Sequence, residues 1–137
     1  MHLSRILAID YGKKRCGLAV TDPLKIIASS LETVETHKLW DYLKAYFQQE
    51  EVERVLIGMP YSLDGTDTHA TPLVKEFIRL FIKRYPAIPI ETMDESFTSK
   101  MAGRALVDSG ISKKKRQEKG MLDKMAATIM LQEWLGK

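Results

Sequence analysis

One cysteine, Cys16, stands in 137 residues, so the chain can close no disulfide of its own and offers no cysteine cage for zinc. Histidine is almost as scarce. His2, His37 and His69 are the only three, and no two are spaced to share a metal ion. Long apolar runs are missing as well: the first, in MHLSRILAIDYG, is cut by Asp10 after a few residues. That is too short for a secretory core and far below the ~20 residues of a membrane span. Nor does one sign of charge dominate, since 21 Lys and Arg face 18 Asp and Glu for a net +3. These absences argue against a disulfide scaffold, a thiolate zinc site and a membrane protein. They lead to the expectation of a reduced, cytoplasmic setting with no membrane partner.

What is present is ordinary in bulk and uneven in detail. Hydrophobic residues make up 45% and charged residues 28% of the chain, the balance of a globular protein. The length suits one domain over residues 1–137. The charge is concentrated. SKKKRQEKG, residues 112–120, sets Lys113, Lys114, Lys115, Arg116 and Lys119 against Glu118, a local +4 that leaves the remainder near −1.

The apolar stretch at residues 5–10 reads as a central strand buried on both faces, and YGKKR turns it into a hairpin partner at 16–21. Thr21-Asp22-Pro23 stops that strand, and 26–34 is expected as a third. Leu39, Trp40, Leu43, Tyr46 and Phe47 recur at helical spacing within 37–50. A buried strand follows at 52–59, then a helix over 71–85 with Pro72 early, where its missing N–H is harmless. A fifth strand is expected at 88–93, a helix at 97–109 capped by Gly110, and a last helix at 121–135. The order β-β-β-α-β-α-β-α-α predicts an α/β fold, a five-stranded mixed sheet with helices on both faces. Chemistry in such sheets gathers at the carboxyl ends of the parallel strands, where Asp10, Met59-Pro60 and Asp94-Glu95 should emerge.

Three acidic positions meet there. Asp10 ends its strand either as a turn residue accepting backbone hydrogen bonds or as a metal ligand. Asp123 shares a helical stripe with Ala126, Ala127, Met130 and Trp134, at offsets of three, four, seven and eleven. A carboxylate on such a stripe needs a partner or a metal, unless the helix is rotated and Asp123 simply favours its N-terminal dipole. Asp94-Glu95 closes the fifth strand as Asp10 closes the first, or else opens a helix capped by Ser96. Carboxylate oxygens gathered at one edge suit Mg²⁺ or Mn²⁺.

The motifs fall in a recognisable order: Asp10-x-Gly12-x-x-Arg15-x-Gly17-x-Ala19-x-x-Asp22, Ile57-Gly58-x-Pro60 with Asp64-Gly65-Thr66, Asp94-Glu95 with Thr98-Ser99, and Lys119-x-x-x-Asp123-x-x-Ala126-Ala127. Together they resemble the YqgF family, the RuvX-like group regarded as nucleases of the 5′ end of precursor 16S rRNA and, earlier, as Holliday junction resolvases. The resemblance spans nearly the whole chain. It implies an RNase H-like fold and a carboxylate site in which Asp10, Glu95 and Asp123 hold divalent metal. It also implies nucleic-acid contacts from Arg15, whose fork can grip phosphate, from Ser62 and Gly65 in the loop after Pro60, and from Lys119. Lys113, Lys114, Lys115 and Arg116 read as a solvated run or, in a nuclease, as a counterion-releasing patch. Tyr61 either stacks on an unpaired base or packs on its own loop.

Two departures bear on substrate grip. Ser96 stands where family members commonly carry arginine, and Ser62 where many carry asparagine. Strand parity groups Asp94 with Ile88, Ile90 and Thr92, and Glu95 with Glu91 and Met93, which on parity alone points Asp94 inward; the resemblance selects Glu95. Other readings share these residues. Cleavage of four-way DNA junctions would use the same carboxylates, and paired nicks usually need a dimer, whereas this sequence suggests a monomer or weak dimer. An actin-like ATPase would need a second domain that 137 residues cannot supply. A catalytically silent RNA-binding module would not need all four carboxylates.

Overall fold

The computed structural model describes residues 3–59, 71–94 and 121–136, with only the backbone described at 121–124. Leu7, Ile9 and Tyr11 alternate with Ile6 and Ala8, and both sets find a core, so β1 (Arg5–Tyr11) lies in the middle of the sheet. β2 (Arg15–Thr21) returns antiparallel beside it, and β3 (Ala28–Glu35) pairs antiparallel with β2. A single 3₁₀ turn at Thr36–Lys38 leads into α1 (Leu39–Gln49). β4 (Val52–Met59) then enters parallel to β1. α2 (Thr71–Arg84) precedes β5 (Ile90–Asp94), which lies parallel to β4, and α3 (Met121–Leu135) completes the described elements. The sheet order is β3-β2-β1-β4-β5. The expected helix at 97–109 and its Gly110 cap lie outside the described residues.

Two cores lie on the two faces of this sheet. Leu7, Ile9, Leu18, Val55 and Ile57 meet Leu39 and Leu43 of α1 and Val74, Phe77 and Phe81 of α2. Phe77 stacks on Trp40 at 4.7 Å between ring centroids, and Phe47 meets Tyr85 edge-on at 5.0 Å. On the other face Ile6, Ala8, Ala19 and Leu56 meet Ala127, Met130 and Leu131 of α3. Small side chains on both partners, Ala8 and Ala19 against Ala127, let this helix lie close to the strands. The Ser30 and Thr128 hydroxyls hydrogen-bond at 2.8 Å and tie α3 to β3. The far end of α3 is fixed by Trp134, whose indole N–H donates to Glu91 at 3.3 Å while Arg54 lies over its ring.

The third strand starts two residues later than expected. Asp22 is the reason: its Oδ1 accepts the N–H groups of Ile26 and Ile27 at 2.8 and 2.7 Å, and its Oδ2 accepts that of Leu24 at 3.1 Å. Those bonds close residues 22–27 into a compact turn, with Lys25 at a positive φ of 60°. Ile26 and Ile27 therefore face solvent, at 67% and 63% exposure, instead of joining the ladder. The 37–50 segment begins as a 3₁₀ turn, and the fifth strand runs at Ile90–Asp94 rather than 88–93.

The N–H of Ile27, joined by those of Ile26 and Leu24, holds the Asp22 carboxyl below the ordinary carboxylate range against the opposing effect of desolvation. A lowered folded-state value contributes stability that is present above the unfolded value of about 3.9 and is lost as pH falls through the folded one. In Asp22→Asn the amide oxygen can still accept from Ile26 and Ile27, but its NH₂ opposes the N–H of Leu24. Asp22→Asn is expected to unfold at lower urea than the wild type at pH 7, with the gap narrowing as pH drops below about 4. Urea midpoints measured across that range check this.

Candidate functional site at the carboxyl edge of the parallel strands

Asp10 is the residue after Ile9 in β1, and alternation puts it on the face of Ile6 and Ala8, under α3. It is half-buried. Its direct partner on β2 is Gly17. On β4, Ile9 lies level with Ile57, and continuing that register by one residue brings Gly58 beside Asp10. Both lateral neighbours of this carboxylate are thus glycines. No side chain stands level with it on either adjoining strand.

α3 runs along this face away from the level of Asp10. Trp134 and Leu135, at the end of the helix, line a hollow with Ile6, Lys25, Glu53, Arg54 and Glu91, at the amino ends of β1, β4 and β5. The start of α3 therefore points to the carboxyl ends. Ala127 packs in the cluster of Ala8 and Ala19. Asp123 lies four residues before it, about 6 Å along a helix, and Asp10 lies two residues beyond Ala8, about 6.6 Å along a strand. The backbone brings the two positions to the same level of one face. Side-chain contacts of Asp123 lie outside the described residues.

β5 carries Met93 on this same face, since Met93 packs with the α3 cluster and Glu91 with Trp134. Ile90 packs in the opposite core, so parity sets Asp94 on the α1 and α2 side. Asp94 thus shares the face of the isoleucines, as strand parity groups it, and that face is the one covered by α1 and α2, opposite Asp10. Asp94 is exposed and ends β5 one residue beyond the level of Asp10. Glu95, Ser62, Gly65, Lys113, Lys114, Lys115, Arg116 and Lys119 lie outside the described residues. Among the described residues no three acidic, histidine or cysteine side chains converge as a metal-binding group.

Arg15 lies across the turn from Asp10, at the strand parity of Gly17 and Ala19. It opens β2, and with Tyr11, Lys13, Lys14, Glu35, Thr36, His37 and Trp40 it lines a cleft of about 690 Å³ on the α1 side. The turn that carries these cations is held from two directions. The Thr36 hydroxyl donates to the Gly12 carbonyl at 2.7 Å, and the Thr36 N–H donates to the Lys14 carbonyl at 2.9 Å. Cys16, buried, sets its Sγ 3.4 Å from the same hydroxyl. Gly12 allows the turn to close this tightly, because a Cβ there would collide with the Arg15 carbonyl oxygen. Burial, and then the nearby Cys16, raise the Tyr11 hydroxyl above the usual phenol value. Sequence reasoning missed Thr36 and the cleft wall, because neither leaves a local signal: Thr36 acts across the fold, and Trp40 reads as a core residue, which it also is.

Three antiparallel strands continued by two parallel ones, order β3-β2-β1-β4-β5, with helices on both faces, make an RNase H-like fold. RuvC of T. thermophilus, solved in complex with a Holliday junction substrate, shares it with a TM-score of 0.58 at 16% identity, covering 97% of this chain and 96% of that one. Residues 4–137 match the family model described as RuvX, Holliday junction resolvase, and the chain belongs to that family. Relatives carrying the name "Putative pre-16S rRNA nuclease" are 50% identical in Christiangramia forsetii and Flavobacterium johnsoniae and 45% in Bacteroides fragilis. Each alignment spans 133 residues, 97% of this chain and 96% or more of the relative.

Removing the Thr36 hydroxyl should loosen the cationic turn. Thr36→Val is expected to cost about 1–2 kcal/mol, because the Gly12 carbonyl loses its donor, and to speed amide exchange at Thr36 itself. Thr36→Ser should retain both. Urea unfolding and hydrogen exchange of the two variants check this.

Proposed function

We propose that the chain is a divalent-metal-dependent nuclease, one RNase H-like domain over residues 1–137, that processes the 5′ end of precursor 16S rRNA in the cytoplasm. The observation that carries this reading is likeness over 97% of the chain to relatives named for that activity. The placement of Asp10 supports it as well. Level with glycines on both adjoining strands, it offers the hard carboxylate oxygen that Mg²⁺ or Mn²⁺ prefers. Among the described residues no helix is long and apolar enough to cross a membrane.

In this reading Asp10, Glu95 and Asp123 hold the metal. When bound, the ion supplies Lewis acidity and a water of lowered pKa. Asp10 contributes an anionic oxygen held at a strand end, half-buried, where its field is less screened than in bulk water. Glu95 follows Met93 by two residues in the sequence, and strand parity groups the two. Asp94 supports the turn from the opposite face. Arg15, Ser62, Gly65 and Lys119 position phosphates, and Lys113, Lys114, Lys115 and Arg116 contribute counterion release. Cleavage of four-way DNA junctions is the second reading, favoured by the family description and resting on the same carboxylates. It requires paired nicks and hence a dimer, whereas RNA processing is open to a monomer.

Asp10→Asn and Asp123→Asn are each expected to abolish Mn²⁺-dependent cleavage of precursor RNA by protein that circular dichroism shows to be folded. Glu95→Gln should do the same at saturating metal, while Asp94→Asn leaves activity within about 10- to 100-fold of wild type. The reverse order in single-turnover assays would make Asp94 the ligand. A four-way junction assayed in parallel separates the two substrate readings.

Replacing Lys113, Lys114, Lys115 and Arg116 by glutamine is expected to weaken binding across RNA sequences. The salt dependence should flatten by roughly 0.7 to 0.9 log units for each phosphate that is no longer neutralised. Binding titrations at several salt concentrations measure the slope, and an unchanged slope assigns the segment to solvent.

A further inference from the structure

Across β1 from Asp10, on the opposite face of the sheet, the cleft lined by Tyr11, Lys13, Lys14, Arg15, Thr36 and Trp40 is chemically composite. One wall is the β1–β2 turn with three successive cations, Lys13 and Lys14 exposed and Arg15 half-buried. The floor is aromatic. Tyr11 leans on Phe77 at 5.0 Å, and Trp40, stacked on Phe77, is covered by the Arg84 guanidinium 4.1 Å from its ring centroid. The ring faces of Trp40 are thus engaged within the protein, and it forms a fixed wall rather than a mobile one. The acidic member of the cleft, Glu35, is already met by His37 at 3.3 Å and Lys38 at 3.6 Å. The cleft thus sets a cationic rim over an apolar floor, in a space of about 690 Å³, roomy enough for a whole nucleotide.

We propose that this cleft is a second subsite, which takes an unpaired nucleotide of the RNA strand whose scissile phosphate lies at Asp10, its phosphate on Lys13, Lys14 and Arg15 and its base against Tyr11 and Trp40. The proposal rests on the reading of the chain as an RNA nuclease. Connectivity supports it: only Tyr11 and Gly12 separate Asp10 from the first of the three cations, so a strand leaving the α3 face reaches the cleft by crossing the tip of one tight hairpin. A single strand can fold over such an edge. A duplex cannot bend so sharply, which makes the subsite selective for unpaired RNA. The turn is ready-made for this because the Thr36 bonds to Gly12 and Lys14 fix it before any ligand arrives.

Trp40 and Trp134 are the two tryptophans, so Trp134→Phe leaves an emitter in the cleft wall alone. With metal chelated, a single-stranded RNA oligonucleotide titrated into this protein is expected to change Trp40 emission, and a fully paired duplex of the same sequence is not. Adding Lys13→Gln and Lys14→Gln should weaken single-strand binding about tenfold and reduce its salt slope by about 0.7 for each phosphate left without a cation. Amide shifts at Lys13, Lys14 and Thr36 in the unaltered protein give the same reading without any substitution. Unmoved emission and unmoved amides, an unchanged slope, or an equal response to duplex overturns the subsite. Because the titration needs no catalysis, Trp40 changes in a protein that cleaves no RNA would keep the cleft and discard the nuclease reading. Cleavage with a silent cleft would do the opposite.

Discussion

Both faces of β1 are sealed, and the rest of the molecule is arranged around that constraint. Ile6 and Ala8 lie under α3 while Leu7 and Ile9 lie under α1 and α2, and all four are essentially inaccessible. A strand so placed has no solvent side, so a polar residue can leave it only at the end where the helices stop. Asp10 and Tyr11 are the first two residues past the fully buried stretch. Parity sends them to opposite faces, and two chemically different environments result from adjacent positions of one chain.

The hairpin tip joins those environments. Because Gly12 accepts close approach of the Arg15 carbonyl, the chain reverses within a few residues, and Thr36 locks the reversal to the junction of β3 and α1. Lys13 and Lys14 thereby line the cleft on the α1 side, the Asp10 carboxylate lies on the α3 side, and Arg15, which also lines the cleft, has the strand parity of Gly17 and Ala19.

Much of this was legible in sequence, for reasons that can be named. Periodicity identified the double burial of residues 5–10 and the inward stripes of α1 and α2, because those patterns are local and the cores merely ratify them. The mixed sheet followed from short connections and the switch from hairpins to helices. Residues 26 and 27 were misread as strand because hydrophobicity was taken as burial. Nothing local revealed that Asp22 would capture their amides, although that aspartate was visible in the motif. The cleft was illegible for a stronger reason: Tyr11, Thr36 and Trp40 come together only after β2 and β3 have been laid side by side. The face assignment of Asp94 was also beyond reach, since apolar alternation shows which residues share a face without showing which helix covers it.

The glycines beside Asp10 carry the last step. Gly17 and Gly58 occur in motifs whose spacing looks arbitrary along the chain, yet register makes them lateral neighbours of the same carboxylate. Glycine in a strand interior is unfavourable, because it adds backbone entropy to the unfolded state and no packing to the folded one. Two of them at one level of the sheet, in its three central strands, constitute a local weakness in an otherwise well-filled core. The third neighbour across the row is Met93, a flexible side chain that packs on the α3 face. A fold optimised for stability alone would place branched residues at those two positions and bury Asp10 no further. Glycine at both leaves no side chain level with a half-buried acidic residue on either adjoining strand, at the end of the sheet where α3 begins.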